Sequence, residues 1–327
     1  MSATGRPEGE CRSVQREGSH PRGSATAGAK PRILVTGAGG QLGFELAHWL
    51  ASYGEVVAVD RAEFDLADVD ATRRAVREIA PRLIVNAAAY TAVDRAETET
   101  DLAHALNARA PQVLAEEARR SGAVLIHYST DYVFDGEGDR PYTEDAPTAP
   151  LNVYGATKLA GEQAIAASGA AALVLRTSWV YGLRGANFLL TMRRLAAERD
   201  ELSIVADQTG TPNWCRELAR ATARIVGEGL PGLAARSGLY HLSSTGSTTW
   251  YEFARAILGD GARARIVPIP SALYPTPARR PRYGVLDTGR FERTFGFGLP
   301  PWREALRRCV ASPAEPSSIG DSPGAPG

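Results

Sequence analysis

A short hydrophobic run near the start of the chain passes directly into a glycine-rich turn. Ile33–Thr36 has the β-branched character of a buried strand, and the sequence GAGGQLG follows it before an amphipathic segment. Gly37, Gly40 and Gly43 meet three needs: a tight turn, close approach of the backbone to a pyrophosphate, and close packing of helix on strand. A strand before these glycines and a helix after them distinguish a dinucleotide loop from a plain turn. The N–H groups at the start of the helix would then bind phosphate oxygens.

The same alternation of β-branched runs and Ala-rich amphipathic segments continues to about residue 180. The runs show little polar alternation, which is typical of parallel strands covered on both faces. Repeated strand–helix–strand units predict an α/β fold, a Rossmann-type doubly wound parallel sheet. Beyond residue 180 the looser pattern indicates a smaller α/β C-terminal substrate lobe. The predicted strands are Ile33–Thr36, Val56–Val59, Leu83–Asn86, Val124–Ser129, Leu173–Ser178 and Tyr240–Ser244, with helices at 41–53, 68–80, 110–121, 187–199, 216–227 and 249–258.

The two ends of the chain differ in composition from the segment between them. Residues 1–30 are rich in Gly, Ser, Arg and Glu and lack the hydrophobic stretch of a secretory signal. We expect disordered tails at 1–30 and 312–327, since neither has the apolar content to form a core. Between them we expect an NAD(P)-binding Rossmann domain at 31–180 and the substrate lobe at 181–311, with some chain crossing back.

Charge, hydropathy and cysteine usage exclude several classes of protein. The 37 basic and 37 acidic residues balance to a formal charge of zero, which disfavours nucleic acid and anionic membrane as partners. No stretch is long and apolar enough to span a bilayer. The three cysteines, far apart in sequence, give neither a disulfide framework nor metal-ligand spacing. Sparse reduced thiols are typical of a cytoplasmic protein.

Residues after the second and third predicted strands suit the remainder of a dinucleotide. Asp60 ends the second strand at the distance expected for a ribose contact. Arg61 follows it as a candidate for a 2′-phosphate or as a solvated charge, so NADPH and NADH stay alternatives. Asp65 and Leu66 are predicted to flank the adenine. The small side chains of Ala87–Ala89 would let a flat cofactor lie against the sheet edge.

A tyrosine and a lysine four residues apart follow the fourth predicted strand. Tyr154 and Lys158 would share one helix face, where an ammonium near a phenol lowers the pKa of the phenol. Such a tyrosine is a usable general acid for a carbonyl oxygen that receives hydride. Thr130, at the end of the fourth strand, can donate a second hydrogen bond to that oxygen. The spacing alone often arises by chance, and the nucleotide loop before it makes the catalytic interpretation the stronger one.

These motifs together resemble the extended short-chain dehydrogenase/reductase family, and within it the branch of dTDP-4-dehydrorhamnose reductases. The similar stretches span about residues 33–305, and VDRAE, STDYVF and RTSWVYG are specific to the sugar-reductase branch. The resemblance implies hydride transfer from NADPH or NADH to C4 of dTDP-4-dehydro-β-L-rhamnose, the last step of dTDP-L-rhamnose synthesis. The similar stretches in full are VTGAGGQLGFEL, NAAAYTAVDRAE, HYSTDYVFDG, PLNVYGATKLAGE, LRTSWVYG, NF, DQTGTP, TTWYEFA and YPTPARRP.

The resemblance also implies roles for individual residues. Thr130, Tyr154 and Lys158 match the catalytic residues, with Tyr154 protonating the C4 oxygen and Lys158 holding the nicotinamide ribose. Arg280 matches an arginine near the diphosphate of the sugar nucleotide. Cofactor contacts are implied for Gly37, Gly40, Gln41, Leu42, Asp60, Asp65, Leu66, Ala87, Ala88 and Ala89, and sugar-side contacts for Thr91, Val93, Asp131, Tyr132 and Trp179.

Two departures from the family pattern bear on substrate contacts and assembly. The family usually has Asn-Ser after the Arg-Pro pair, and this chain has Tyr283 and Gly284. Some relatives dimerise through Mg²⁺ held by glutamates. Glu45 is kept here, whereas Arg216 and Arg303 occupy the other two positions. Because Mg²⁺ requires oxygen ligands, we expect no bridging metal, a monomer rather than a homodimer, and Glu45 on the polar face of the first helix.

Two alternative functions share the same motifs. A reductase of another dTDP-4-ketodeoxysugar would differ in only a few pocket contacts. A non-catalytic regulatory subunit that binds NADP would not need the three catalytic residues together. Among the remaining residues, His127 is predicted to be a hydrogen-bonded core histidine, and Trp250 and Phe253 are predicted to lie in the core because of their helical spacing.

Overall fold

The computed structural model describes residues 30–259 and 263–312. The tails predicted at 1–30 and 312–327 lie almost wholly outside these residues. The strands within them are β1 (Arg32–Thr36), β2 (Glu55–Val59), β3 (Leu83–Asn86), β4 (Val124–Thr130), β5 (Ala172–Thr177), β6 (Val180–Tyr181), β7 (Glu201–Val205), β8 (Thr209–Gly210), β9 (Asn213–Trp214), β10 (Gly238–His241), β11 (Thr248–Thr249) and β12 (Arg265–Ile269). The α-helices are α1 (Gln41–Leu50), α2 (Val69–Ile79), α3 (Val93–Ala96), α4 (Thr100–His104), α5 (Ala110–Ser121), α6 (Val153–Ser168), α7 (Phe188–Glu198), α8 (Cys215–Gly227), α9 (Leu230–Ala235), α10 (Trp250–Leu258), α11 (Gly289–Phe295) and α12 (Trp302–Ala311).

Six of these strands form one sheet in the order β2-β1-β3-β4-β5-β10, and every neighbouring pair is parallel. β3, β4 and β5 are buried along their whole length, as expected for central strands covered on both faces. The strand order reverses between β1 and β3, where the carboxyl ends of the strands open a crevice. The predicted Rossmann-type doubly wound sheet is therefore confirmed.

Capping residues set the ends of several predicted helices. The side chains of Asp68 and Asn152 accept hydrogen bonds from backbone N–H groups in the first turns of α2 and α6. Gly122, in the left-handed conformation, ends α5 where the sequence predicts. The first helix is shorter than predicted, because it ends at Leu50 and not at Tyr53.

A helical stretch before α5 escapes prediction from the sequence. α3, α4 and a π-helical turn at Ala105–Arg109 lead into α5. The polar ETETD sequence in this stretch gives no clear hydrophobic period. Asn107 in the π-helical turn exchanges hydrogen bonds with the backbone of Tyr90 and donates one to the hydroxyl of Thr157 at 3.1 Å. The turn thereby connects the loop after β3 to α6.

The second half of the chain contributes both to the main sheet and to a smaller lobe. β10 pairs with β5 at the sheet edge, whereas β6 with β9, β7 with β12 and β8 with β11 form two-stranded ladders. One apolar cluster includes Leu46 and Ile126 from the first half and Leu218 and Phe253 from the second. The division at residue 180 stays a prediction, since the packing is continuous across it. None of the described helices combines the length and apolarity needed to cross a bilayer.

Candidate active site

Loops at the carboxyl ends of β1 to β5 surround a cavity of about 1080 Å³. Ligands of doubly wound sheets bind at this edge. The predicted site residues, Arg280 excepted, all line the cavity: Gly37, Gly40, Gln41, Leu42, Asp60, Arg61, Asp65, Leu66, Ala87, Ala88, Ala89, Thr91, Val93, Thr130, Asp131, Tyr132, Tyr154, Lys158 and Trp179. The fold thus brings together residues from nearly 150 positions of sequence, and their individual roles stay predictions.

The glycine loop between β1 and α1 has no room for side chains at two positions. Gly37 has a φ of +72°, and a Cβ there would lie 2.8 Å from the backbone of Ala88. A Cβ on Gly43 would lie 2.1 Å from the carbonyl oxygen of Gly37. Gly40 occupies the N-cap of α1 and offers no side-chain hydrogen bond to the helix. The start of α1 therefore presents backbone N–H groups, which can bind phosphate oxygens.

Asp60 and Arg61 follow β2 at one end of the cavity. The Asp60 carboxylate accepts a hydrogen bond from the N–H of Ala62 at 2.8 Å, which fixes it beside the glycine loop. Arg61 is exposed to solvent, so packing does not hold its guanidinium in one position. A second arginine of the lining, Arg95, pairs with Glu99. The sequence did not indicate Arg95, because it lies in the unpredicted helical stretch.

Tyr154 reaches the cavity because α6 packs closely against the turn after β4. Asn152 caps α6 by accepting a hydrogen bond from the N–H of Gly155 at 2.8 Å. A Cβ on Gly155 would lie 2.2 Å from the carbonyl oxygen of Tyr132, so a glycine is required at this contact. The rings of Tyr132 and Tyr154 meet edge to face, with 5.5 Å between centroids. Thr130, at the end of β4, lines the same cavity.

The pKa of Tyr154 departs from the prediction made from the sequence. Burial raises its pKa to about 12, and a hydrogen bond with Thr130 offsets part of that rise. The prediction that Lys158 lowers the pKa of Tyr154 is therefore wrong for this structure. The spacing of four places both residues on one helix face but does not fix where the lysine side chain ends.

The Lys158 ammonium is buried among groups other than Tyr154. Nζ donates to the carbonyl oxygen of Tyr128 at 2.6 Å and lies 3.2 Å from Nε2 of His127. Burial lowers the pKa of Lys158 to about 8, and the nearby Glu162 carboxylate offsets part of that shift. His127 is fully buried and hydrogen-bonded, as predicted. Its contact with Lys158 was not foreseen.

Two stacked tryptophans line the other end of the cavity. The rings of Trp179 and Trp250 are 3.5 Å apart between centroids and 9° from parallel. Trp179 has a φ of +42°, a conformation that a bulky residue adopts only when its surroundings enforce it. Trp250 packs against the main apolar cluster but is half-buried and lines the cavity, so the prediction that it lies in the core is only partly correct, whereas Phe253 is fully buried as predicted.

Asp131 is the buried acid of the site. It is 1% exposed, and its Oδ1 accepts a hydrogen bond from the Thr130 hydroxyl at 3.1 Å. Oδ2 has no hydrogen-bond partner among the described residues. Burial raises the pKa of Asp131 to about 7, so this side chain is protonated more readily than an exposed aspartate.

Arg280 and Glu45 differ from what the sequence indicates. Arg280 is not among the cavity-lining residues, and its guanidinium donates to Asp94 at 2.8 Å. The role of Arg280 at a diphosphate stays a prediction. Glu45 is not on a polar face of α1, because it is 2% exposed and pairs with Arg216 at 2.8 Å. The Trp49 indole N–H also donates to Glu45 at 3.2 Å.

Comparisons with known proteins agree with this geometry. The family model described as the RmlD substrate binding domain matches residues 31–314. A dTDP-4-dehydrorhamnose reductase of Burkholderia thailandensis is 48% identical over 291 residues, which cover 85% of this chain and 98% of that protein. The enzyme of the same name from Escherichia coli K12 is 44% identical over 291 residues, which cover 85% of this chain and 96% of that protein.

A solved structure of a protein with the same name shares the fold of this chain. The crystal structure of dTDP-4-dehydrorhamnose reductase from Bacillus anthracis in complex with NADP has a TM-score of 0.81 and 37% identity. The alignment covers 86% of this chain and 99% of that one. The family model and the similar proteins both span nearly all of the described residues. The chain therefore belongs to the dTDP-4-dehydrorhamnose reductase family.

Proposed function

We propose that this chain reduces the 4-keto group of dTDP-4-dehydro-β-L-rhamnose to give dTDP-L-rhamnose, with NADPH or NADH as the hydride donor. The observation that carries the proposal is the shared cavity. A hydroxyl that can donate a proton, that of Tyr154, lines the same cavity as the uncapped, glycine-lined start of α1. The names of the similar proteins supply the choice of sugar nucleotide.

The residues of the cavity fit a nicotinamide dinucleotide. Gly37 packs so closely on Ala88 that a Cβ would clash with its backbone, so glycine keeps the loop against the sheet edge, and the N-terminus of α1 suits a pyrophosphate. The Lys158 ammonium lines the cavity and can bind ribose hydroxyls. When bound, the reduced nicotinamide supplies the hydride that the carbonyl carbon receives.

The protein's own part in the reaction is to hold and deliver a proton. Tyr154 donates its hydroxyl proton to the substrate carbonyl oxygen as the carbon receives hydride. The Thr130 hydroxyl, which donates to Oδ1 of Asp131 in this structure, turns to donate its hydrogen bond to the same oxygen. The pKa of Tyr154, raised by burial to about 12, keeps the proton on the phenol until it is needed. Lys158, whose Nζ is held by His127 and the Tyr128 carbonyl oxygen, binds the nicotinamide ribose in this scheme and does not lower the pKa of Tyr154.

The remaining parts of the proposal concern cofactor choice and assembly. Arg61 is exposed at the adenosine end and can reach a 2′-phosphate, which favours NADPH. We keep the monomer as a proposal, since Glu45 is buried in an ion pair with Arg216 within one chain. A cytoplasmic location is proposed because the sequence has three widely separated cysteines and the two that the structure describes, Cys215 and Cys309, form no disulfide.

The deciding experiment follows the absorbance of reduced nicotinamide as freshly prepared dTDP-4-dehydrorhamnose is added. We expect rapid oxidation by the parent protein and a loss of about 10²- to 10⁴-fold in kcat for Tyr154→Phe. Tyr53→Phe, the same change at an exposed tyrosine, should leave kcat unaltered. A parent protein that binds NADPH without turnover would contradict the proposal. Faster turnover with another dTDP-4-ketodeoxysugar would show that this other sugar is the preferred substrate, and the proposed hydride and proton transfer would still hold.

A further inference from the structure

A row of buried polar side chains crosses the sheet beneath the cavity. Thr36, Asn86 and His127 occupy paired positions on β1, β3 and β4, and none is more than 1% exposed. The Thr36 hydroxyl lies 2.6 Å from Oδ1 of Asn86, and the other end of that amide lies 2.9 Å from Nδ1 of His127. Parallel strands in register therefore convert three separated residues into one hydrogen-bonded row.

The row ends on Lys158. Its Nζ lies 3.2 Å from Nε2 of His127 and donates to the carbonyl oxygen of Tyr128 at 2.6 Å. An ammonium has three N–H donors and no acceptor. With two of them directed at β4, one N–H is left for the cavity that Lys158 lines. His127 and Tyr128 thus determine both the place of Nζ and the direction of its remaining donor.

The charge on Lys158 determines the tautomer of His127. Burial and the neighbouring ammonium both keep the pKa of His127 well below its usual value, so the ring is neutral. A neutral ring that accepts from Lys158 at Nε2 must carry its proton on Nδ1. That N–H needs an acceptor, so the Asn86 amide must present Oδ1 to His127 and Nδ2 to Thr36. A half-turn of the amide exchanges these two atoms without moving any other group.

We propose that His127 is a positioning residue of the reaction, which holds the Lys158 ammonium through Nε2 while Asn86 fixes its Nδ1–H tautomer. The role in catalysis rests on the proposed reductase function, whereas the hydrogen bond itself does not. His127 touches neither substrate nor cofactor in this scheme and acts through Lys158. The row begins at Thr36, immediately before the glycine loop, so one set of hydrogen bonds positions both the loop and the lysine.

The composition of the chain makes the hydrogen bond directly measurable. Of its 37 basic residues, two are lysines: the exposed Lys30 and the buried Lys158. Protein labelled with ¹³C at the lysine Cε should give two titrating NMR signals, with Lys30 as the internal reference. The ionisable groups around Lys158 are His127 on β4, Glu162 on its own helix with Arg176 of β5 bound to it, and Asp131 and Tyr154 at the cavity.

Three substitutions of His127 separate the positioning role from a packing role. His127→Gln can place an oxygen acceptor near the position of Nε2. His127→Asn keeps a polar atom near Nδ1 but does not reach Lys158. His127→Leu has no acceptor. An acceptor stabilises the ammonium, so we expect the Lys158 titration midpoint to fall by about 1 pH unit in the Asn and Leu variants. The Gln variant should stay near the parent value of about 8.

Activity should follow the same order as the titration. We expect kcat to fall about tenfold in His127→Asn and His127→Leu and less than about threefold in His127→Gln. The basic limb of the pH profile should move to lower pH in the Asn and Leu variants. Thermal unfolding of all three variants shows how much stability each has lost. If lost packing caused the fall in kcat, kcat would follow the Tm of the variants and not the presence of an acceptor for Lys158.

The parent protein alone also tests the proposal. In ¹⁵N spectra of its five histidines, the buried His127 should show a protonated Nδ1 and an unprotonated Nε2, and this signal should vanish in His127→Gln. A protonated Nε2, or a Lys158 midpoint unchanged in both the Asn and Leu variants, would overturn the proposal. Neither spectrum uses substrate. Failure of the parent to reduce the ketosugar would therefore refute the proposed function and leave the His127–Lys158 hydrogen bond to be decided by NMR.

Discussion

Gly284 approaches Asp131 so closely that a Cβ added to the glycine would lie 2.3 Å from Oδ2 of the aspartate. That oxygen is the free end of a side chain, so it can turn away while the backbone stays in place. We expect Gly284→Ala to rotate Asp131 and raise the KM for the sugar nucleotide about fivefold, equivalent to about 1 kcal/mol, with little change in Tm. Steady-state kinetics and thermal unfolding check both parts.

The control for this substitution is Gly232→Ala in α9. A Cβ there meets no atom of the described residues within 4 Å, so KM should be unaltered and stability should rise by no more than about 1 kcal/mol. An unchanged KM in Gly284→Ala would contradict a sugar-side role for Asp131.

Asp131 should make stability depend on pH in an unusual direction. Burial raises its pKa from 3.8 to about 7, so between these values the folded chain holds a proton that the unfolded chain releases. The contribution of this group is complete below about pH 4 and is lost as pH rises through 7. The asparagine of Asp131→Asn cannot ionise. The difference in free energy of unfolding between this variant and the parent should therefore increase in favour of the variant as pH rises, by at most about 1.4 kcal/mol per pH unit. Urea unfolding of both proteins from about pH 5 to 8 measures this.

Asp135→Asn provides a comparison of opposite sign. A hydrogen bond from Tyr142 holds the pKa of Asp135 below its usual value, so its contribution is present at neutral pH and is lost as pH falls. Parallel stability curves for Asp131→Asn and the parent would show that the Asp131 carboxyl ionises normally.

The ion pair between Arg176 and Glu162 should be costly to break. Its two hydrogen bonds are 2.9 and 2.6 Å long, and the side chains are 3% and 7% exposed. Glu162→Gln leaves the guanidinium buried without a counter-charge, so we expect a loss of about 3–5 kcal/mol in the free energy of unfolding. Glu198→Gln breaks the exposed Arg194–Glu198 pair and should cost less than about 1 kcal/mol. If denaturant unfolding gave equal losses of unfolding free energy for the two variants, the buried pair would be no more important to stability than the exposed pair, and the prediction would be refuted.

The stacked tryptophans should affect the sugar nucleotide and not the cofactor. Trp250→Leu removes the ring that supports Trp179 in its positive-φ conformation. We expect the KM for the sugar nucleotide to rise about tenfold, since an aromatic stack contributes up to about 1.5 kcal/mol. Trp250→Phe keeps part of the stack and should show a smaller rise. If only the KM for NADPH rose, the tryptophan pair would contact the cofactor and the prediction would be contradicted.

Local chemistry made most of the fold predictable. The β-branched runs, such as Leu83–Asn86, read correctly because parallel strands buried on both faces carry little polar alternation. Capping residues such as Asp68 fixed helix starts to within a residue or two. The stretch at 93–109 was missed because its polar sequence gives no period, and tertiary hydrogen bonds through Asn107 hold it instead.

Side-chain geometry was the part that the sequence could not supply. The spacing of Tyr154 and Lys158 gave their shared helix face, but the long lysine side chain turns toward His127 and Tyr128. Trp250 stands at helical spacing from Phe253, and only the stack with Trp179 shows that one faces the cavity and the other the core. Such choices depend on neighbours distant in sequence, which no local pattern encodes.

The main sheet cannot be completed until β10, from the second half of the chain, has been synthesised. Gly238–His241 pairs with Leu173–Arg176, so a nascent chain must extend past His241 before the edge of β5 is covered. Until then β5 displays unpaired N–H and C=O groups that can join another chain. Translation pauses or truncations between these two strands should therefore yield a chaperone client, even though the glycine loop, Tyr154 and Lys158 have already been synthesised.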